Sequence, residues 1–179
     1  MDFEHETINR KEIYKGKIIS LVQDIISLPN GKTAKRDVVL HNGAAAIVPM
    51  DESGNILFVR QYRQPVGEEI LEIPAGTLEE GEEPLECAKR ELEEETGYKA
   101  NEFTHICSMY TAVGFCTEII HIYLGTDLIM GKQNLDEDEF VNVEKYPFNE
   151  AMKMIFDGRI KDSKTISGIL GANHIMNSK

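Results

Sequence analysis

Basic side chains are in short supply: 19 Lys and Arg stand against 31 Asp and Glu, which leaves a formal charge of -12 over 179 residues. A chain so acidic is not built to grip a nucleic-acid backbone, which needs clustered cations, and no nucleic-acid partner is expected. A small anionic substrate still fits if a metal ion supplies local positive charge. Cysteine is sparse as well. Cys87, Cys107 and Cys116 form no C-x-x-C pair, and an odd number suits reduced thiols in a cytoplasm better than a disulfide framework, so they read as small buried apolar residues. No stretch approaches the roughly 20 apolar residues that span a bilayer, and segment 1–6 lacks a basic-then-apolar leader pattern. The expectation is a cytoplasmic protein with no membrane association. Also missing are the G-x-x-x-x-G-K-[ST] loop, the H-E-x-x-H pair and the G-x-S-x-G elbow. His5, His41, His105, His121 and His174 are scattered, with structural or surface roles as the default.

What is present is enough apolar material, 41%, for one compact domain. Residues 17–28 and 33–40 flank the turn Pro29-Asn30-Gly31 and read as a β-hairpin, an extension over 1–41 ahead of a core domain over 42–179. Strands are expected at 44–49, 56–61, 70–73, 105–111, 118–124 and 140–143, with a polar loop at 125–139. Pro84 suits the first position of a helix running to Thr96, which Gly97 closes with a left-handed cap. Residues 149–156 and 164–175 read as two further helices, with Asn149 or Phe148 near the first start and Ser163 as N-cap of the second. The elements do not alternate as in a doubly wound sheet, so the fold class is α+β.

Glutamates crowd the segment 79–95. At about 100° per residue, Leu85, Ala88 and Leu92 make an apolar stripe, Glu91, Glu94 and Glu95 share the adjoining arc, and Glu93 points elsewhere. Like charges at i,i+3 and i,i+4 repel, so the arc is either a solvated face or a site for a cation, and oxygen-only ligands favour magnesium or manganese over zinc.

The longer pattern GTLEEGEEPLECAKRELEEETGY places Gly76, Glu82, Arg90, Glu91, Leu92, Glu94, Glu95 and Gly97 at the fixed positions of G-x5-E-x7-R-E-U-x-E-E-x-G-U, and it resembles the Nudix box. Only Tyr98 departs, standing where an aliphatic residue is usual. The resemblance implies an α/β/α sandwich around a mixed sheet, with Glu91, Glu94 and Glu95 as ligands to Mg2+ or Mn2+, joined by the Ala75 carbonyl. It makes Arg90 the residue that orients them, against the alternative of an ordinary i,i+4 partner of Glu94.

Beyond the box, RQYRQPVGEEILEIPAG over 60–76 resembles the ADP-ribose pyrophosphatase branch. There the resemblance gives Arg63 and Arg36 contacts to a nucleotide-sugar substrate, the alternative being solvated strand-end charges. LDEDEFVNVEKY over 135–146 resembles that branch's acidic loop, which implies that Glu137 and Glu139 are a further metal ligand and the group activating water, in either order. Gly114 and Glu118 fit the pattern around a substrate loop, although Val113 stands where a proline is common, which brings another nucleoside diphosphate sugar into consideration. GRIKDSKTISGIL over 158–170 also matches the branch, in a structural role. The implied reaction is magnesium-dependent hydrolysis of ADP-ribose to AMP and ribose 5-phosphate. The alternative is a binding module of the same fold, and a homodimer through the N-terminal extension is implied by resemblance alone.

Overall fold

The computed structural model describes residues 4–135 and 139–178. They fall into two units, Met1–Gly43 with Tyr110–Ile119, and Ala44–Met109 with Ile120–Lys179. In the first unit β1 (Thr7–Lys15), β2 (Ile19–Ser27) and β3 (Thr33–His41) form an antiparallel sheet in sequence order. The expected hairpin is β2 and β3, closed where the Gly31 amide donates to the Leu28 carbonyl. The added strand, β1, is exposed at every position and carries no apolar alternation, so it is a strand only by pairing with β2. Val22, Asp24 and Ile26 alternate onto the buried side of β2, and Asp24 takes a bidentate bond from Arg10 at 2.7 and 2.7 Å.

The second unit is organised by β4 (Ala44–Pro49), buried along its whole length. It pairs in parallel with β9 (Ile119–Met130) and antiparallel with β7 (Ala75–Thr77), giving the sheet β7-β4-β9-β8 with β8 at Tyr98–Tyr110. An uninterrupted apolar run such as AAAIV is what a strand covered on both faces requires. Ala45 and Ile47 meet Cys87, Ala88 and Leu92 of α1 (Pro84–Thr96), whereas Ala44, Ala46 and Val48 join the core of Ile169 and Ala172 from α3 (Ser163–Asn177). That core also takes Ala151 and Met154 from α2 (Phe148–Phe156), and Ile56 and Phe58 from β5 (Asn55–Arg63). Burying Leu92 completely is worth roughly 2 kcal/mol. β5 lies between β6 (Glu68–Glu72) and β10 (Asn142–Pro147) in a second, antiparallel sheet. This is the expected α/β/α layering around mixed strands.

Several boundaries differ from the sequence reading. Ala75–Thr77 is a strand because it pairs with β4. β8 and β9 run longer than expected, so the segment 125–130 is strand. β10 starts at Asn142, where pairing with Arg60 begins, and Phe140 is 84% exposed. α1 ends as expected, with Gly97 at φ 73° and its amide on the Glu93 carbonyl. Its buried face is made by Cys87 with Ala88 and Leu92, and Leu85 is only half-buried. Cys87 is the fully buried thiol among three free cysteines, while Cys107 and Cys116 are half-buried. The N-cap of α3 is Asp162, not Ser163, because its carboxylate accepts from the Thr165 amide at 2.9 Å and an anion suits a helix N-terminus. Among the described residues, no helix is long and apolar enough to cross a membrane.

Candidate active site

The three arc glutamates come from consecutive turns of α1, and the strand end at Ala75–Thr77 fixes which way they face. Glu91 is 9% and Glu95 3% exposed, unusual burial for carboxylates. Gly76 makes the burial of Glu91 feasible, since a Cβ there would overlap the Glu91 carboxylate. Glu95 accepts from the Ala75 amide at 3.0 Å and lies 3.5 Å from Gln61 Nε2 on β5. Glu93 turns away to Lys99 at 3.0 Å, as the helical spacing predicts.

Arg90 is at the centre. Its Nη1 donates to Glu91 at 2.6 Å and Glu94 at 3.0 Å, and its Nε and Nη2 donate to both oxygens of Glu82 at 2.9 and 3.1 Å. One guanidinium thus spans three carboxylates, and the i,i+4 contact with Glu94 is one part of a larger fork. Among the described residues no three His, Cys, Asp or Glu groups enclose a ligating position by themselves: Glu91 and Glu94 turn toward Arg90, and Glu95 toward the Ala75 amide.

The donor set fits a hard divalent cation. Every candidate ligand is oxygen, and the electrostatics call for positive charge. Burial first, then the neighbouring Glu91 charge, pushes Glu95 up to about 8. Burial also raises Glu91, against the opposing pull of Arg90. Glu139 raises both, so it lies within electrostatic reach of the helix pair. A cation among these groups would restore their charged forms. Glu137 lies outside the described residues. A cavity of about 340 Å³ opens beside this cluster, lined by Arg60, Gln61, Tyr62, Glu139, Phe140 and Asn142.

Arg63 forms a bidentate pair with Glu72, 2.7 and 2.9 Å, and also feels the Glu95 charge. Arg36, Gly114 and Glu118 belong to the first unit. Arg36 is exposed on β3, with Nη1 on the Lys35 carbonyl. Gly114 is exposed in the segment that joins the edge of β3, and Glu118 accepts from Thr111 at 2.7 Å and faces His41 at 3.6 Å. The sequence reading did not anticipate the Ala75 amide, Gln61, or the Glu72 and Lys164 pair beneath Arg63. Each depends on a contact between distant segments that has no local spacing to mark it.

Burial tends to raise the Glu72 carboxyl, but the Arg63 hydrogen bond and the Lys164 charge outweigh it and hold the group below its ordinary value. A folded-state value below the unfolded one gives stability that is complete above the unfolded pKa, about 4.3, and is lost as pH falls through the folded value. The contribution of Glu72, read as the difference in urea midpoint between wild type and Glu72→Gln, should therefore hold from pH 7 to about 5 and then shrink, whereas the raised Glu91 and Glu95 carboxyls act in the opposite sense in both proteins. Glu72→Gln, which among the described residues leaves buried Lys164 with Asp162 as its one charged partner and Arg63 with none in direct contact, should cost about 3 kcal/mol at pH 7 and flatten the acid limb. Equal acid slopes in the two proteins would contradict this account.

Residues 40–167 match the NUDIX domain, and with this layered fold and its glutamate helix the chain belongs to the Nudix hydrolase family. Nudix hydrolases work with a divalent cation. Over 168 residues, 93% of this chain and 91% of the relative, it is 45% identical to an ADP-ribose pyrophosphatase of Bacillus subtilis. It is 44% identical to a methanol dehydrogenase activator of Bacillus methanolicus over 170 residues, again 93% and 91% of the two chains. A crystal structure of an ADP compounds hydrolase superposes with a TM-score of 0.89 over 99% of this chain and 97% of that one, at 20% identity, which establishes likeness of fold.

Proposed function

We propose that this chain hydrolyses the pyrophosphate bond of ADP-ribose, yielding AMP and ribose 5-phosphate, with magnesium as the cation and manganese as a substitute. The observation that carries the reading is the burial of Glu91 and Glu95 on one helix face, with Glu91 bound to Arg90 and Glu95 within reach of Gln61, which also lines a cavity of about 340 Å³. Support also comes from the 45% identity to a pyrophosphatase of that name. Glu91, Glu94, Glu95 and Glu139, with the Ala75 carbonyl, would hold the ion. When bound, it screens the phosphoryl oxygens and lowers the pKa of water.

The chain's own residues do the rest. Arg90 sets the carboxylate directions, and Arg63 orients the diphosphate. Glu139 or Glu137 takes the proton as water oxygen bonds to phosphorus and the bridging P–O bond breaks, the leaving phosphate keeping that oxygen. Tyr62 and Phe140, 57% and 84% exposed at the cavity, offer aromatic faces to the nucleotide. The same reading gives Arg36, Gly114 and Glu118 to the terminal sugar or base. Residues 1–41 act as an extension through which two copies pair in a homodimer, consistent with the exposed Ile8, Ile13 and Tyr14. Free thiols suit a cytoplasmic location.

A second reading, a nucleotide-sugar-binding module that acts on another protein, draws on the activator among the relatives. A panel of ADP-ribose and other nucleoside diphosphate sugars, assayed with magnesium and with a chelator, separates the two. Magnesium-dependent AMP release fastest from ADP-ribose is expected. Binding without cleavage would contradict the hydrolase, and faster cleavage of another sugar would reassign its substrate.

A further inference from the structure

Beneath Arg63 lies a charged cluster that the reaction described above does not use. Arg63 comes from β5, Glu72 from β6, and Asp162 and Lys164 from the start of α3. Glu72 and Lys164 are 3% and 8% exposed. Lys164 Nζ donates to Glu72 Oε2 and, at 3.1 Å, to Asp162 Oδ2. Asp162 is itself fixed by Thr165, whose amide and hydroxyl both donate to it, and the same hydroxyl accepts from the Ile73 amide at 2.9 Å. The cluster therefore ties the chain just ahead of Ala75 and Gly76 to the first turn of α3.

A buried ion pair is weak stabilisation by itself, because desolvation offsets most of the Coulomb gain. Arg63 alone would satisfy Glu72 with its two-pronged bond. The second cation has a different consequence. Nε and Nη2 of Arg63 are committed to Glu72, so the plane of the guanidinium is set, and its remaining edge belongs to a side chain that is 42% exposed and within the field of Glu95. Without Lys164, the charges of both Glu72 and Asp162 would act on Arg63 alone and cancel its attraction for an anion.

We propose that Lys164 is a positioning residue for substrate binding: by sharing Glu72 with Arg63 it fixes the guanidinium and neutralises the carboxylate behind it, so that Arg63 presents positive charge to the diphosphate. This rests on the reading in which Arg63 contacts substrate. It predicts an effect on binding rather than on the chemical step, transmitted only through Arg63.

The test is a double-mutant cycle on the full chain, reading ADP binding by calorimetry in calcium, steady-state ADP-ribose kinetics in magnesium, and thermal midpoints. Lys164→Met should weaken ADP and raise KM about tenfold with kcat within about threefold, and Lys164→Arg should restore both to within about threefold. In an Arg63→Met background, Lys164→Met should change ADP affinity by less than about twofold, since its route of action is gone. If Lys164→Met does not fold, Lys164→Gln, which keeps a donor to Glu72 but loses the charge, is read the same way. Unaltered ADP affinity in the folded variant, or a full further loss on the Arg63→Met background, overturns the proposal. Wild-type protein that binds ADP without cleaving ADP-ribose contradicts the hydrolase alone and leaves the cycle to decide on Lys164. Wild-type protein that binds no ADP overturns the role of Lys164.

Discussion

Glu94→Gln should lower kcat/KM for ADP-ribose by about 10³-fold, roughly 4 kcal/mol of transition-state stabilisation, while the fold stays intact. Glu94 is the most accessible of the three arc glutamates, with 35% of its side chain exposed, so its amide is accommodated without a buried orphan. Arg90 keeps its bonds to Glu82 and Glu91 in the variant, and the midpoint of thermal unfolding should move by only a few degrees. The loss would arise because an amide is a far weaker ligand for a hard cation than a carboxylate. Kinetics at saturating magnesium, paired with a thermal scan, check it. Turnover within tenfold of wild type would remove Glu94 from the ion's ligands.

Gly76→Ala should lower activity by about 10–100-fold, the range typical of lost support around a metal ligand. The added methyl occupies the place of the Glu91 carboxylate. That carboxylate has little room to yield, since it is buried and held by Arg90 at 2.6 Å. Two responses are open. Either Glu91 rotates away and takes Arg90 from Glu94, or the strand end moves and loosens the Ala75 amide from Glu95. Both disturb the ligands without removing one, so raised magnesium should recover part of the lost rate. Wild-type rate at low magnesium would show that the close approach of strand and helix has no bearing on the site.

Much of this site could be read from the chain because it is local. Leu92, Glu91, Glu94 and Glu95 are placed by helical geometry, and Pro84 and Gly97 mark both helix ends with residues whose backbone preferences are strong. The doubly covered strand Ala44–Pro49 was equally legible, as an apolar run too short for a helix. Legibility fails where a partner from elsewhere decides. Thr7–Lys15 is polar at most positions and becomes a strand only beside Ile19–Ser27. The sequence offers Arg63 as a substrate contact or a solvated strand-end charge; its bond to Glu72 crosses from β5 to β6, and the further link from Glu72 to Lys164 joins segments 92 residues apart. Asp162 was passed over for Ser163 because adjacent residues both favour an N-cap, and only the bond to Thr165 distinguishes them.

The central claim, that the carboxylates of Glu91, Glu94 and Glu95 hold a divalent ion against a diphosphate, is tested most directly by titrating manganese and following free ion by electron paramagnetic resonance, with and without ADP. The account predicts saturable binding that ADP tightens and that Glu94→Gln weakens about 10–100-fold. Wild-type protein that takes up no manganese in the presence of ADP, or takes it up equally well with Gln at position 94, would contradict it.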